Sequence, residues 1–137
     1  MTIVLSKGET ADDMKKALFE GATVAWSYDD LLGREENIRM LVESCLSLEP
    51  RGYERNSTVL KVGLRNDCPV NFTLRNFSEE TFQNFSDTIR VERHSTLPLT
   101  VRMKTGATSL ALNLEVLNAQ VGFRKTPFVT LATAVSP

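Results

Sequence analysis

The chain has one histidine, His94. A single imidazole cannot build a histidine-rich metal centre, and it leaves the many Ser and Thr hydroxyls without a visible base partner. No Gly-x-Ser-x-Gly is present either. Cysteine is almost as scarce. Cys45 and Cys68 permit at most one bridge, and with no Cys-x-x-Cys there is no thioredoxin-type or zinc-ribbon reading. Cys45 falls in a predicted helix and Cys68 in a predicted turn, so two free thiols are expected. Neither sign of charge dominates. Sixteen basic and 17 acidic residues give a net charge of −1, which offers no electrostatic footprint for nucleic acid. No run approaches the ~18 apolar residues of a membrane span, and no signal-peptide pattern opens the chain.

What is present suits one folded unit. The 137 residues are 42% hydrophobic, enough for a single core, and at this length roughly two thirds of the unfolded surface becomes buried. Residues 2–5 read as a short strand. Thr10 reads as a helix N-cap with Asp12 and Asp13 in the first turn, and Met14, Ala17 and Leu18 carry the helical spacing. Gly21 is a left-handed stop, and Thr23 to Trp26 is a second strand. Glu35 and Glu36 favour a second helix, with Ile38, Leu41, Val42, Cys45 and Leu46 on its apolar face and an end near Ser47, before Pro50.

From Thr58 onward the period is two. Leu60, Val62 and Leu64 alternate with Val59, Lys61 and Gly63. Arg65 to Pro69 turns the chain and Val70 to Leu74 returns, which reads as a β-hairpin. Further alternating segments follow at Ile89–Arg93, Leu97–Met103, Leu110–Leu117 and Phe128–Val135. Six to seven strands with no crossover helices predict an antiparallel β-sandwich over 51–137, preceded by a strand–helix–strand–helix lead-in over 1–50.

Three features could carry chemistry. His94 lies between two strands with only Glu92 near it, so it reads as a surface turn. Asp29-Asp30 and Glu35-Glu36 pair carboxylates but match no EF-hand spacing, so they read as a turn and an acidic helix start. The third is a recurring Asn-Phe-Ser/Thr pattern at Asn71, Asn76 and Asn84, with Asn56-Ser57-Thr58 nearby. These are formal N-glycosylation sequons, and Asp87-Thr88-Ile89 is similar to a short bacterial O-glycosylation signal. The pattern also defines a candidate glycan or protein platform of Asn76, Phe77, Phe82, Asn84 and Phe85. Its alternative is a long loop anchored on the core by its Phe residues.

Residues Met14 to Trp26, Leu31 to Glu36 with the helix after them, Val59 to Leu74, and Phe128 to Leu131 together resemble the C-terminal region of bacterial PHP-family (polymerase and histidinol phosphatase-like) metallophosphoesterases. The resemblance is to the Bacteroidetes and sphingomonad phosphodiesterase-like group. It implies an Ig-like β-domain that follows a catalytic barrel. The family's metal ligands lie in that barrel, so no catalytic or metal-binding residue carries over to this chain, and its divalent metals are expected only upstream. The implied role is a non-catalytic accessory domain whose partner is its own catalytic domain, with Ile3 to Leu5 and Val24 to Trp26 packing beside the barrel or sealing the sandwich. A carbohydrate- or protein-binding sandwich module is the other reading. The resemblance also implies a periplasmic or secreted location.

Overall fold

The computed structural model describes residues 2–4, 10–12, 15, 21, 23–27, 29–54, 57–104, 107–122 and 125–135. Ala11, Asp12 and Lys15 are helical, while Asp13, Met14, Ala17 and Leu18, on which the first helix was expected to rest, lie outside the described residues. The lead-in elements are β1 (Thr2–Val4), β2 (Thr23–Ser27), β3 (Asp30–Gly33) and α1 (Glu35–Cys45). Gly21 takes φ +70°, the left-handed stop that its place before β2 requires. β1, β2 and β3 form an antiparallel meander, and β11 (Ala119–Gln120) adds to β3 in parallel.

The sandwich elements are β4 (Leu46–Tyr53), β5 (Val59–Asn66), β6 (Phe72–Asn76), β7 (Thr81–Phe82), β8 (Thr88–Val91), β9 (Ser95–Arg102), β10 (Ser109–Val116) and β12 (Phe128–Ala134). One sheet runs β4-β5-β9-β7 and the other β12-β10-β6-β8. β4, β5 and β9 take the A-B-E places and β12, β10 and β6 the G-F-C places of an Ig-like sandwich, while the short β7 at the D edge precedes β8 at the C′ edge in the chain. The alternating positions meet between the sheets. Leu60, Val62, Leu64, Leu99 and Val101 come from one side. Phe72, Leu74, Val91, Leu110, Leu112, Leu114, Val116 and Val129 come from the other, and all are buried. Removing this apolar surface from water is the main stabilising term, worth about 25 cal/mol per Å².

The apolar face of α1 is as its spacing predicts: Ile38, Leu41, Val42 and Cys45 are buried, with Asn37 beside them. Asn37 Nδ2 donates to the carbonyls of Gly21 (2.7 Å) and Thr23 (3.3 Å), which fixes the lead-in chain to the helix. The helix stops at Cys45 rather than near Ser47. Leu46 is already extended, at φ −103° and ψ 136°, and enters β4 opposite Asn66. Pairing with β5 outweighs helix propensity there. β4 therefore straddles the expected 50/51 boundary. It carries Pro50 at an edge, with a register shift between Pro50 and Gly52, where Gly52 takes φ +108°.

Two expectations are corrected. Val59–Leu64 and Val70–Leu74 do not form a hairpin: β5 pairs with β4 and β9, and β6 pairs with β8 and β10 in the opposite sheet. The connection between them is an arch across the sandwich, built on the buried Asn66. Its Nδ2 donates to the carbonyls of Val70 (2.7 Å) and Glu92 (3.2 Å), and its Oδ1 accepts from Cys68 N (3.0 Å). The second correction concerns the cysteines, which are not free thiols. Cys45 and Cys68 form a disulfide with Cα atoms 5.3 Å apart. The arch brings Cys68 to the end of α1, where Asp67 N also donates to Cys45 O at 3.0 Å. A turn read locally cannot show that proximity.

Candidate functional site

The lead-in is fastened to the sandwich by polar groups around Asn118, which follows β10. Asn118 Nδ2 donates to the carbonyls of Asp29 and of Asn71 (2.9 Å to the latter), and its Oδ1 accepts from Thr73 N at 3.0 Å. Its own carbonyl accepts from Leu31 N at 2.9 Å, which starts the parallel β11–β3 pairing. Asp29 completes the clasp: Oδ1 accepts from Asn71 Nδ2 (3.0 Å) and Oδ2 from Arg90 (3.3 Å). Glu92, then Asp29, hold the Arg90 guanidinium further toward its charged form. Asn71 Oδ1 in turn accepts from Arg93 N at 2.7 Å.

This clasp shapes a half-open groove of about 520 Å³ between β2–β3 and the β10–β11 turn. Trp26, Leu32 and Leu117 supply its apolar lining, with Asp30, Ser27 and Gln120 among the polar groups around them. Leu31 faces the core, so Leu32, the next residue on a period-two strand, must face out, and it is 57% exposed. The apolar lead-in residues are divided in the same way. Val24 is fully buried and Ile3 and Trp26 pack against the core, sealing the sandwich, whereas Ala25 and Leu32 point to the open face. The Leu31-Leu32 doublet is the sequence signal for this groove, because two successive apolar residues in a strand cannot share one face. Nothing local marks Asn118, whose partners lie 45 or more residues away in sequence.

The five residues of the sequence-derived platform are not assembled into one surface. Phe82 is buried in the core, so its ring cannot stack on a ligand. Asn76 is buried as well. Its Nδ2 donates to Glu80 O (2.8 Å) and its Oδ1 accepts from Ser78 N (2.9 Å). Asn84 holds the segment to β9, through Pro98 O (3.1 Å) and Thr100 N (3.0 Å). These amides act as turn and loop ties. Phe77 and Phe85 remain exposed. Phe77 meets Phe128 edge-on with centroids 5.3 Å apart, and the Arg75 guanidinium lies 4.7 Å from its ring centre. Phe77→Ala removes both contacts and is expected to cost about 1 kcal/mol in urea unfolding.

His94 occupies an exposed turn at φ +49°, donating its N–H to Cys68 O at 3.1 Å. Glu35 and Glu36 sit in the first turn of α1, where they favour the helix dipole, and Glu35 lies 3.8 Å from Lys125. Among the described residues, no three His, Cys, Asp or Glu side chains come together as a metal-ligand group. No helix among them is long and apolar enough to cross a membrane.

Comparison with known proteins agrees with the sheet order. Residues 46–132 match the DUF5001 family, described as an Ig-like domain. A solved two-domain protein from Bacteroides vulgatus, containing a predicted PHP-like metal-dependent phosphoesterase, has the same fold, with a TM-score of 0.76 at 24% identity. The likeness covers 97% of this chain but 38% of that one, so the chain spans well under half the length of that protein. No curated protein matches.

Proposed function

The chain belongs to the DUF5001 family of Ig-like domains, and from that premise we propose that it is the non-catalytic accessory part of a larger metal-dependent phosphoesterase. One observation carries the reading. The family match begins at Leu46, yet the likeness to the two-domain protein covers 97% of the chain and so takes in most of the lead-in. Lead-in and sandwich thus recur together as a unit that is 38% of a longer polypeptide. The buried contacts of Asn37, the Asn118 clasp and the Cys45–Cys68 bridge hold that unit together as one platform.

The described residues do not fit the metal centre of such an enzyme. His94 stands alone in its turn, Asp29 is engaged by Arg90 and Asn71, and no ligand group converges. The proposal leaves metal and hydrolysis to the catalytic domain and gives no step of the reaction to this chain. A periplasmic or extracellular address belongs to the same proposal. The disulfide supports it, because cytosolic reductants keep most thiol pairs open.

The purified chain, supplied with Mn²⁺ or Zn²⁺ and a chromogenic phosphodiester, is expected to show no turnover above the metal-only background. Turnover that survives repurification would make the chain an enzyme in its own right and overturn the reading.

A further inference from the structure

We propose that the groove between β3 and the β10–β11 turn is the seat of the catalytic domain of the same polypeptide, which fills it with an apolar ridge bearing a cation beside it. This rests on the accessory reading above. The exposed Leu32 and Leu117, with the edge of the core-packed Trp26 beside them, border one concavity of about 520 Å³. That is room for a few large side chains, and a water-filled apolar groove gains free energy when such a ridge displaces the water. Asp30 supplies the charge. Its carboxylate has no ion-pair partner among the described residues, so a cation on the incoming surface meets it without breaking an existing pair.

The occupant is argued from where the lead-in recurs. An Ig-like domain matches from Leu46 onward, so β1–β3 lie outside the part that defines the family. The fold likeness to the two-domain protein nevertheless extends through most of the lead-in, and most of that protein's chain lies outside the shared part. The groove is built on that extra sheet. The other exposed apolar residues offer no comparable seat. Phe77, beneath the Arg75 guanidinium, is packed edge-on against Phe128, Phe85 stands on a loop, and Met40 is the single apolar residue of a more open groove of about 440 Å³ lined otherwise by Glu36, Arg39, Glu43 and Ser44.

Hydrogen exchange tests this, comparing the 137-residue chain with the full-length product of its gene. In the full-length protein the amides of residues 25–32 and 117–120 are expected to exchange about tenfold more slowly or better. Leu32→Asp is expected to abolish that difference while leaving the exchange of the shorter chain unchanged, because Leu32 is already exposed. Phe85→Ala is the control and leaves the difference intact. Equal exchange in both proteins, protection centred on Phe77 and Phe128, or protection that grows with protein concentration and so marks a second copy, would each overturn the docking assignment alone. A gene product without a catalytic domain would overturn the accessory reading, and the docking assignment with it.

Discussion

Replacing Cys45 and Cys68 together by alanine is expected to lower the unfolding free energy by about 3 kcal/mol, the loop-closure value for a bridge of this span. The two residues are 23 apart in sequence, so the bridge removes many open conformations from the unfolded chain. For a domain of this size the loss corresponds to a fall in Tm of roughly 10 °C. Urea unfolding of the double variant measures it. The same shift is expected for the unaltered protein under a dithiol reductant, because Cys68 is only half-buried and open to attack. Near-wild-type stability of the double variant, or two free thiols per chain found by a thiol reagent without reductant, would mean that the bridge does not hold the arch to α1.

Asn118→Ala carries the next largest effect, about 2–3 kcal/mol, because three hydrogen bonds disappear at once. The carbonyls of Asp29 and Asn71 and the N–H of Thr73 lose their partner in a partly enclosed site. The damage is expected to be local in origin, with exchange protection lost first in β3 and β11 and last in β10. Asn118→Asp separates the donor from the acceptor role. A carboxylate can still accept from Thr73 N, yet it turns a negative charge toward two carbonyl oxygens. That repulsion raises the pKa of the introduced group in the folded state. The sign follows: the destabilisation is full at neutral pH, and it is relieved as pH falls and the group gains a proton that it can donate. A variant as stable as the parent at pH 7 would show that the clasp is dispensable.

Much of the architecture is legible before any coordinates. The alternation of Leu60, Val62 and Leu64, and of Leu110, Leu112 and Leu114, states which side chains must leave water. Ile38, Leu41, Val42 and Cys45 do the same at helical spacing. Gly21 marks its own backbone conformation. Such patterns are local: they depend on the geometry of one strand or helix, so each segment carries its own signature. The exposed turn at His94 is readable for the same reason.

β4 is harder to read, since Pro50 and Gly52 interrupt its alternation. It becomes a strand because β5 offers it a ladder from Leu46 to Tyr53. The Asn-Phe-Ser/Thr segments mislead in the opposite direction. Phe77 and Phe82 are both aromatic in similar surroundings of sequence, yet one is exposed and the other buried. The difference follows from which face of its sheet each takes: Phe82 alternates inward from the exposed Thr81, and Phe77 alternates outward from the buried Asn76 to meet the exposed Phe128.

The sequence by itself determined the inward residues, the absence of a histidine-rich centre and the class of fold, because these depend on period and composition. Tertiary structure decided which sheet each strand joins, and therefore that β5 and β6 are joined by an arch rather than a hairpin. It also decided that Cys45 meets Cys68 and that Asn118 closes on Asp29 and Asn71. Alternation states that a residue faces a core but not which strand lies beside it, and contacts between distant segments exist only once the two sheets have closed.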